Sequence, residues 1–129
     1  MSQTKQVIKP AKAAPAVGPY NHAARIGDLL FCAGQIPIDP ASPGAAFPEG
    51  IAAQTTRVLE NIRLILEDQG LGFDNVVKST VFMVNLADFA AMNEVYARYF
   101  TANHPPRSTI QVAALPRGAQ VEIEVIAHF

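Results

Sequence analysis

The chain has 129 residues, half of them apolar and 16% charged, with ten Lys and Arg against eleven Asp and Glu for a net charge of −1. That length suits one domain, residues 1–129, and leaves no room for a second core. The basic residues are scattered from Lys5 to Arg117, without the clustering that a nucleic-acid or anionic-membrane surface needs, so neither partner is expected.

The lone cysteine, Cys32, excludes an intrachain disulfide and points to a reducing compartment. No apolar run approaches the roughly 20 residues of a membrane span. Lys5, Lys9 and Lys12 precede the first acid, Asp28, but transit peptides are richer in arginine and amphipathic, so the cytoplasm is expected. So little charge on so small a domain also predicts that partners cover part of its surface.

In chain order, Val7 and Ile8 predict a short edge strand, followed by a loop from Pro15 to Pro19, because proline cannot donate to a sheet ladder. Asn21 to Ile26, the turn pair Gly27-Asp28 and Leu29 to Ala33 read as a hairpin, with Tyr20 at its entrance. Gly34 to Gly50 is rich in proline and glycine and has no period, which predicts a functional loop and a candidate lid. From Ile51, apolar or small side chains recur at Thr55, Val58, Leu59, Ile62, Ile65 and Leu66, the spacing of a helix with one buried stripe. Gly70 ends it in a left-handed cap. The β-branched, apolar run Val76 to Val84 predicts a strand. Asn85 then caps a second helix, with Asp88 in its first turn and Phe89, Met92, Tyr96 and Tyr99 along one stripe. Pro105-Pro106 stops it, and strands at Ser108 to Val112 and Gln120 to His128 close the chain.

This order predicts an α+β domain with two helical crossovers, and crossovers of one hand place both helices on the same face of the sheet. Leu29 to Cys32 and Val81 to Val84 are nevertheless apolar at successive positions, the mark of strands covered on both faces. Two helices cannot supply both covers. A closed homo-oligomer is therefore expected.

Alternation puts Arg107, Thr109 and Gln111 on one face of the penultimate strand, and Ser108, Ile110 and Val112 on the other. On the last strand Val121, Ile123 and Val125 share one face; Glu122, Glu124 and His128 take the opposite one. With the apolar sets against the helices, the polar sets of both strands face a subunit interface. An arginine there suits a carboxylate, through two parallel charge-assisted bonds, and a nearby glutamate could activate a water. A structural ion pair between Arg107 and a glutamate fits the same alternation. His22, His104 and His128 show no metal-binding spacing, so no metal is expected. Cys32 reads as a small core residue, and Tyr96, Tyr99 and Phe100 as helical core.

Gly18-Pro19-Tyr20, Gly34-Gln35-Ile36-Pro37, Asn75 to Phe82, Asp88-Phe89 through Asn93 to Tyr96, Pro106-Arg107-Ser108 and Val121-Glu122-Ile123-Glu124 together resemble the RidA/YjgF family of reactive-intermediate deaminases, in order and over nearly the whole chain. The resemblance implies a chorismate-mutase-like fold, a six-stranded mixed sheet with two helices on one face. It also implies a homotrimer with active sites in clefts between subunits. The implied activity is cofactor-free hydrolysis of 2-imino acids, such as 2-iminopropanoate (tautomer of 2-aminoacrylate) and 2-iminobutanoate, to 2-keto acids and ammonia. Position by position, Arg107 matches the carboxylate-binding arginine, Glu122 the acid that positions or activates water, and Tyr20 the tyrosine lining the pocket. Gly34 matches a backbone contact and Asn93 a polar pocket residue supplied across the interface. Two positions depart from many relatives: Thr109 replaces a cysteine, though its backbone amide could still bind the carboxylate, and Ala33 stands where some have serine. The other expectations are a non-catalytic trimeric module, acting as keto-acid sensor or holdase, and a deaminase for a larger substrate such as aminomuconate.

Overall fold

The structure is a computed structural model and describes residues 4–129, so the first three positions of the expected single domain lie outside the described residues. Strands β1 (Gln6–Ile8), β2 (Ala23–Ile26) and β3 (Leu29–Cys32) precede helix α1 (Ile51–Asp68). Strand β4 (Val76–Met83), helix α2 (Phe89–Tyr99) and strands β5 (Arg107–Gln111) and β6 (Val121–His128) follow. The strands form one six-stranded sheet in the order β1-β2-β3-β6-β4-β5. The last strand in sequence is thus inserted at the centre. All neighbours are antiparallel except β4 and β5. Since β3 and β4 both run antiparallel to β6, they are parallel to each other, and α1 makes the crossover between them. The second helix, α2, crosses from β4 to its parallel neighbour β5.

Both helices cover the same face, as expected. The stripe Val58, Leu59, Ile62, Ile65 and Leu66 of α1 is fully buried against Val81, Val121, Ile123 and Val125 of the sheet, with Met92, Val95 and Tyr96 of α2 completing the core. Burying each such aliphatic side chain contributes about 1.5–3 kcal/mol. The exit of α1 follows the expected glycine signal: Gly70 has φ 72°, its N–H bonds to the Glu67 carbonyl (3.0 Å), and the Leu71 N–H reaches back to Leu66 (2.8 Å). The entrance to α2 differs from the expectation by one turn. The Asn85 side chain accepts from the Ala87 N–H (2.9 Å) and so starts a 3-10 turn at Leu86–Asp88, from which α2 continues at Phe89.

The expected lid, Gly34 to Gly50, is fastened on two sides. Ile36 and Ile38 form a small second core with Ala14 and Ala119. The buried Asn61 of α1 donates to both the Ile36 (3.2 Å) and Ile38 (2.8 Å) carbonyls and accepts from Arg57. Further along, Arg117 donates to the Pro43 and Ala45 carbonyls and stacks over Phe47. Cys32 is buried, and burial pushes its thiol up to about 12, as suits a small core residue.

Among the described residues, no helix covers the opposite face of the sheet. Leu29 and Phe31 of β3 and Ile110 of β5 are 38%, 43% and 45% exposed there. Among the described residues no helix is long and apolar enough to cross a membrane.

Candidate active site

The register of the sheet decides which way each candidate residue points. Thr109 pairs with Val81, which pairs on its other side with Ile123, and Arg107 pairs with the fully buried Ser79. Paired residues share a face, so Arg107, Thr109 and Gln111 lie on the helix side and Ser108 and Ile110 on the open side. Glu122 and Glu124 pair with Phe82 and Thr80, on the open side. This corrects the expectation that the polar sets of both strands face the same way. The parity of β5 is inherited from β4 through hydrogen bonding, and as an edge strand it leaves Ile110 in the open while its arginine lies on α2.

On the helix side, the Arg107 guanidinium carbon is 4.7 Å from the centre of the Tyr96 ring and 5.5 Å from that of Phe89. Phe89, Asn93 and Tyr96 fall on one stripe of α2, four and three residues apart. Stacking on aromatic faces leaves the edge of a guanidinium free to bond a planar anion. The ion pairs formed among the described residues are Arg63–Glu60 and Arg98–Glu94, and Arg107 takes part in neither. Nearby, the Asn93 Oδ1 and Thr109 Oγ1 atoms are buried without a hydrogen-bond partner. Such atoms cost about 1–3 kcal/mol each unless something pairs with them. Arg107 and Asn93 line a hollow of about 320 Å³ walled by Tyr96, Ala97, Phe100, His104 and Pro105. A hollow of about 430 Å³ beside Arg63, Phe73 and Tyr99 is larger, but there the guanidinium is already paired with Glu60. Chemistry, not size, therefore selects the Arg107 hollow.

Gly34 and Glu122 meet elsewhere, at one end of β6, and Tyr20 is connected to that end through His22 and Gln35. Gln35 forms a two-bond bridge with Ile123 (2.9 and 3.2 Å), which lays Gly34 against Glu122. A β-carbon at Gly34 would collide with the Glu122 carboxylate. Burial raises the Glu122 pKa above its usual value, and the neighbouring Glu124 charge raises it further. The half-exposed Tyr20 meets the His22 ring edge-on. His22 bonds through Nε2 to the Ala14 carbonyl and through Nδ1 to the Gln35 side chain (3.3 Å). A proton on Nε2 satisfies both bonds, so His22 buttresses the Tyr20–Gln35 segment.

One chain thus brings Arg107, Asn93 and Thr109 to one side of the sheet and Gly34 and Glu122 to the other, with Tyr20 beside His22, and does not bring the two groups together. The first can hold a carboxylate; the second can take or give a proton. Tyr96 and Ser79 join the first group without having been expected there. The spacing of Tyr96 from Phe89 and Asn93 was the available signal.

Residues 11–129 match the family model described as Endoribonuclease L-PSP. The chain is 46% identical over 125 residues to protein DfrA of Myxococcus xanthus, which covers 95% of each chain. It is 44% identical over 126 residues to the 2-iminobutanoate/2-iminopropanoate deaminase of Capra hircus, covering 98% of this chain and 91% of that one. Among solved structures it matches E. coli TdcF with bound serine at a TM-score of 0.90 and 38% identity, over 96% of this chain and 98% of that one. Shared sequence over nearly its whole length, on the same sheet and helix arrangement, means that this chain belongs to the RidA/YjgF family and has its chorismate-mutase-like α+β fold.

Proposed function

We propose that the protein hydrolyses small 2-imino acids to 2-keto acids and ammonia, in a homotrimer whose copies meet through the open faces of their sheets. The observation that carries the reading is Arg107, held on an aromatic ledge without a carboxylate partner among the described residues, beside the unpaired Asn93 and Thr109 atoms. The deaminase name of the Capra hircus relative and the serine bound to E. coli TdcF support a small amino-acid-like ligand. The split between the two groups and the exposed apolar side chains of the open face support a site completed by a second copy.

In this mechanism Arg107 grips the substrate carboxylate and fixes which face of the planar C=N carbon is open to attack. Glu122, backed by Gly34, takes a proton from water as its oxygen bonds to that carbon. The nitrogen receives that proton, giving a tetrahedral 2-amino-2-hydroxy acid; Glu122 then takes the hydroxyl proton and passes it to the nitrogen, the C–N bond breaks, and ammonia leaves as the C=O bond forms. A carboxyl group with a raised pKa suits both transfers better than an ordinary one. Tyr20 closes the pocket, and Asn93 and the Thr109 amide and hydroxyl orient the substrate. No cofactor takes part.

The test is keto-acid release when an amino-acid oxidase generates the imine in situ. The protein should accelerate it, and Arg107→Ala should abolish the acceleration; full activity in that variant overturns the assignment. One observation favours a second reading. Because no carboxylate lines the Arg107 hollow among the described residues, it also fits a non-catalytic keto-acid binder, which would bind 2-ketobutyrate and turn over no imine. The hollow of about 320 Å³ leaves room for larger imines such as aminomuconate, which turnover measured across side-chain sizes would reveal. A nuclease, as the family model is described, finds no clustered positive charge in this sequence.

A further inference from the structure

We infer that Ser79 and Tyr96 are positioning residues that fix the Arg107 guanidinium for its ligand, an inference that rests on the carboxylate-binding role proposed above. Ser79 is fully buried and is the sheet partner of Arg107. It reaches the arginine by two routes. Its N–H donates to the Pro106 carbonyl (3.1 Å), which holds the peptide immediately before Arg107. Its hydroxyl shares a 2.7 Å hydrogen bond with the Tyr96 phenol, and the Tyr96 ring is the nearer of the two on which the guanidinium rests.

The ring is also stacked on Phe100 at 4.2 Å and 16°. Stacking alone allows a ring to slide or turn in its plane; a hydrogen bond at its tip removes that freedom. Burial pushes the Tyr96 phenol up, against smaller opposing effects from Ser79 and Arg107, so it stays neutral and the bond persists across the working pH range. A phenylalanine and an alanine would fill nearly the same space with no polar group to satisfy. Instead a buried polar pair selects one ring orientation, under an arginine with no carboxylate among the described residues to orient it.

The test is a calorimetric titration of the assembled protein with 2-ketobutyrate, alongside steady-state kinetics, for Tyr96→Phe, Ser79→Ala, the double variant and Arg107→Ala. Each single variant should weaken binding by about three- to tenfold, the reach of one hydrogen bond, and raise KM while leaving kcat nearly unchanged. The double variant should be no worse than the worse single one, because both remove the same bond. Wild-type affinity in folded Tyr96→Phe overturns the inference, and a lowered Tm without a change in affinity does the same by leaving the pair only structural. Undiminished binding by Arg107→Ala overturns the functional reading beneath it, a result distinct from the first two.

Discussion

Glu122 is the residue whose surroundings make the sharpest statement about pH. Burial raises its pKa first and the Glu124 charge second. A carboxyl raised in the folded state contributes stability that is complete below the ordinary carboxylate value and is lost as pH rises through the raised value. In the dissociated chain, where no second copy's arginine faces the carboxylate, Glu122→Gln should therefore melt higher than the wild type at neutral pH, with the gap closing on acidification to about pH 4. The same substitution should slow turnover by about 10²- to 10⁴-fold, the usual worth of a general acid-base group. Glu124→Gln removes the like charge and should move the acidic limb of the rate profile to lower pH; a limb that stays in place assigns it to another group. The glutamate and the arginine could both be picked from the sequence as bearers of chemistry. Their relative direction could not, because alternation gives two faces and does not say which face of β5 matches which face of β6. That depends on Thr109 pairing with Val81 and Val81 with Ile123.

Among the elements, the helices were legible because each carries a helical period, and the central strands because they are β-branched, apolar runs. The stripe of α1 and the Gly70 cap lie where the spacing put them. The segment from Gly34 to Gly50 has no period, and what organises it is a side chain far along the chain: Asn61 bonds to carbonyls 25 and 23 residues away. Nothing local announces such a contact. Asn61→Ala should leave the Ile38 carbonyl buried without its partner, while the Ile36 carbonyl keeps the Ile38 N–H (2.8 Å), at a cost of about 1–3 kcal/mol, read as a lower denaturant midpoint. Because that segment leads from Gly34, which abuts Glu122, the variant should also lose kcat more than it raises KM. An unchanged midpoint would show that Ile36 and Ile38 hold the segment by apolar packing alone.

For the whole molecule, the apolar run Leu29 to Cys32 signalled a sheet covered on both faces, and the described chain leaves Leu29, Phe31 and Ile110 uncovered on the side without helices. Placing a charge there, as in Phe31→Glu, should yield a smaller, folded and inactive species in light scattering. The central claim is that Arg107 of one copy and Glu122 of another complete one site. The most direct measurement mixes inactive Arg107→Ala with the slowed Glu122→Gln, dissociates and reassembles them, and assays imine hydrolysis. The account predicts recovered activity, because mixed assemblies contain interfaces where an intact Arg107 meets an intact Glu122. Mixed assemblies that form and stay inactive would contradict it.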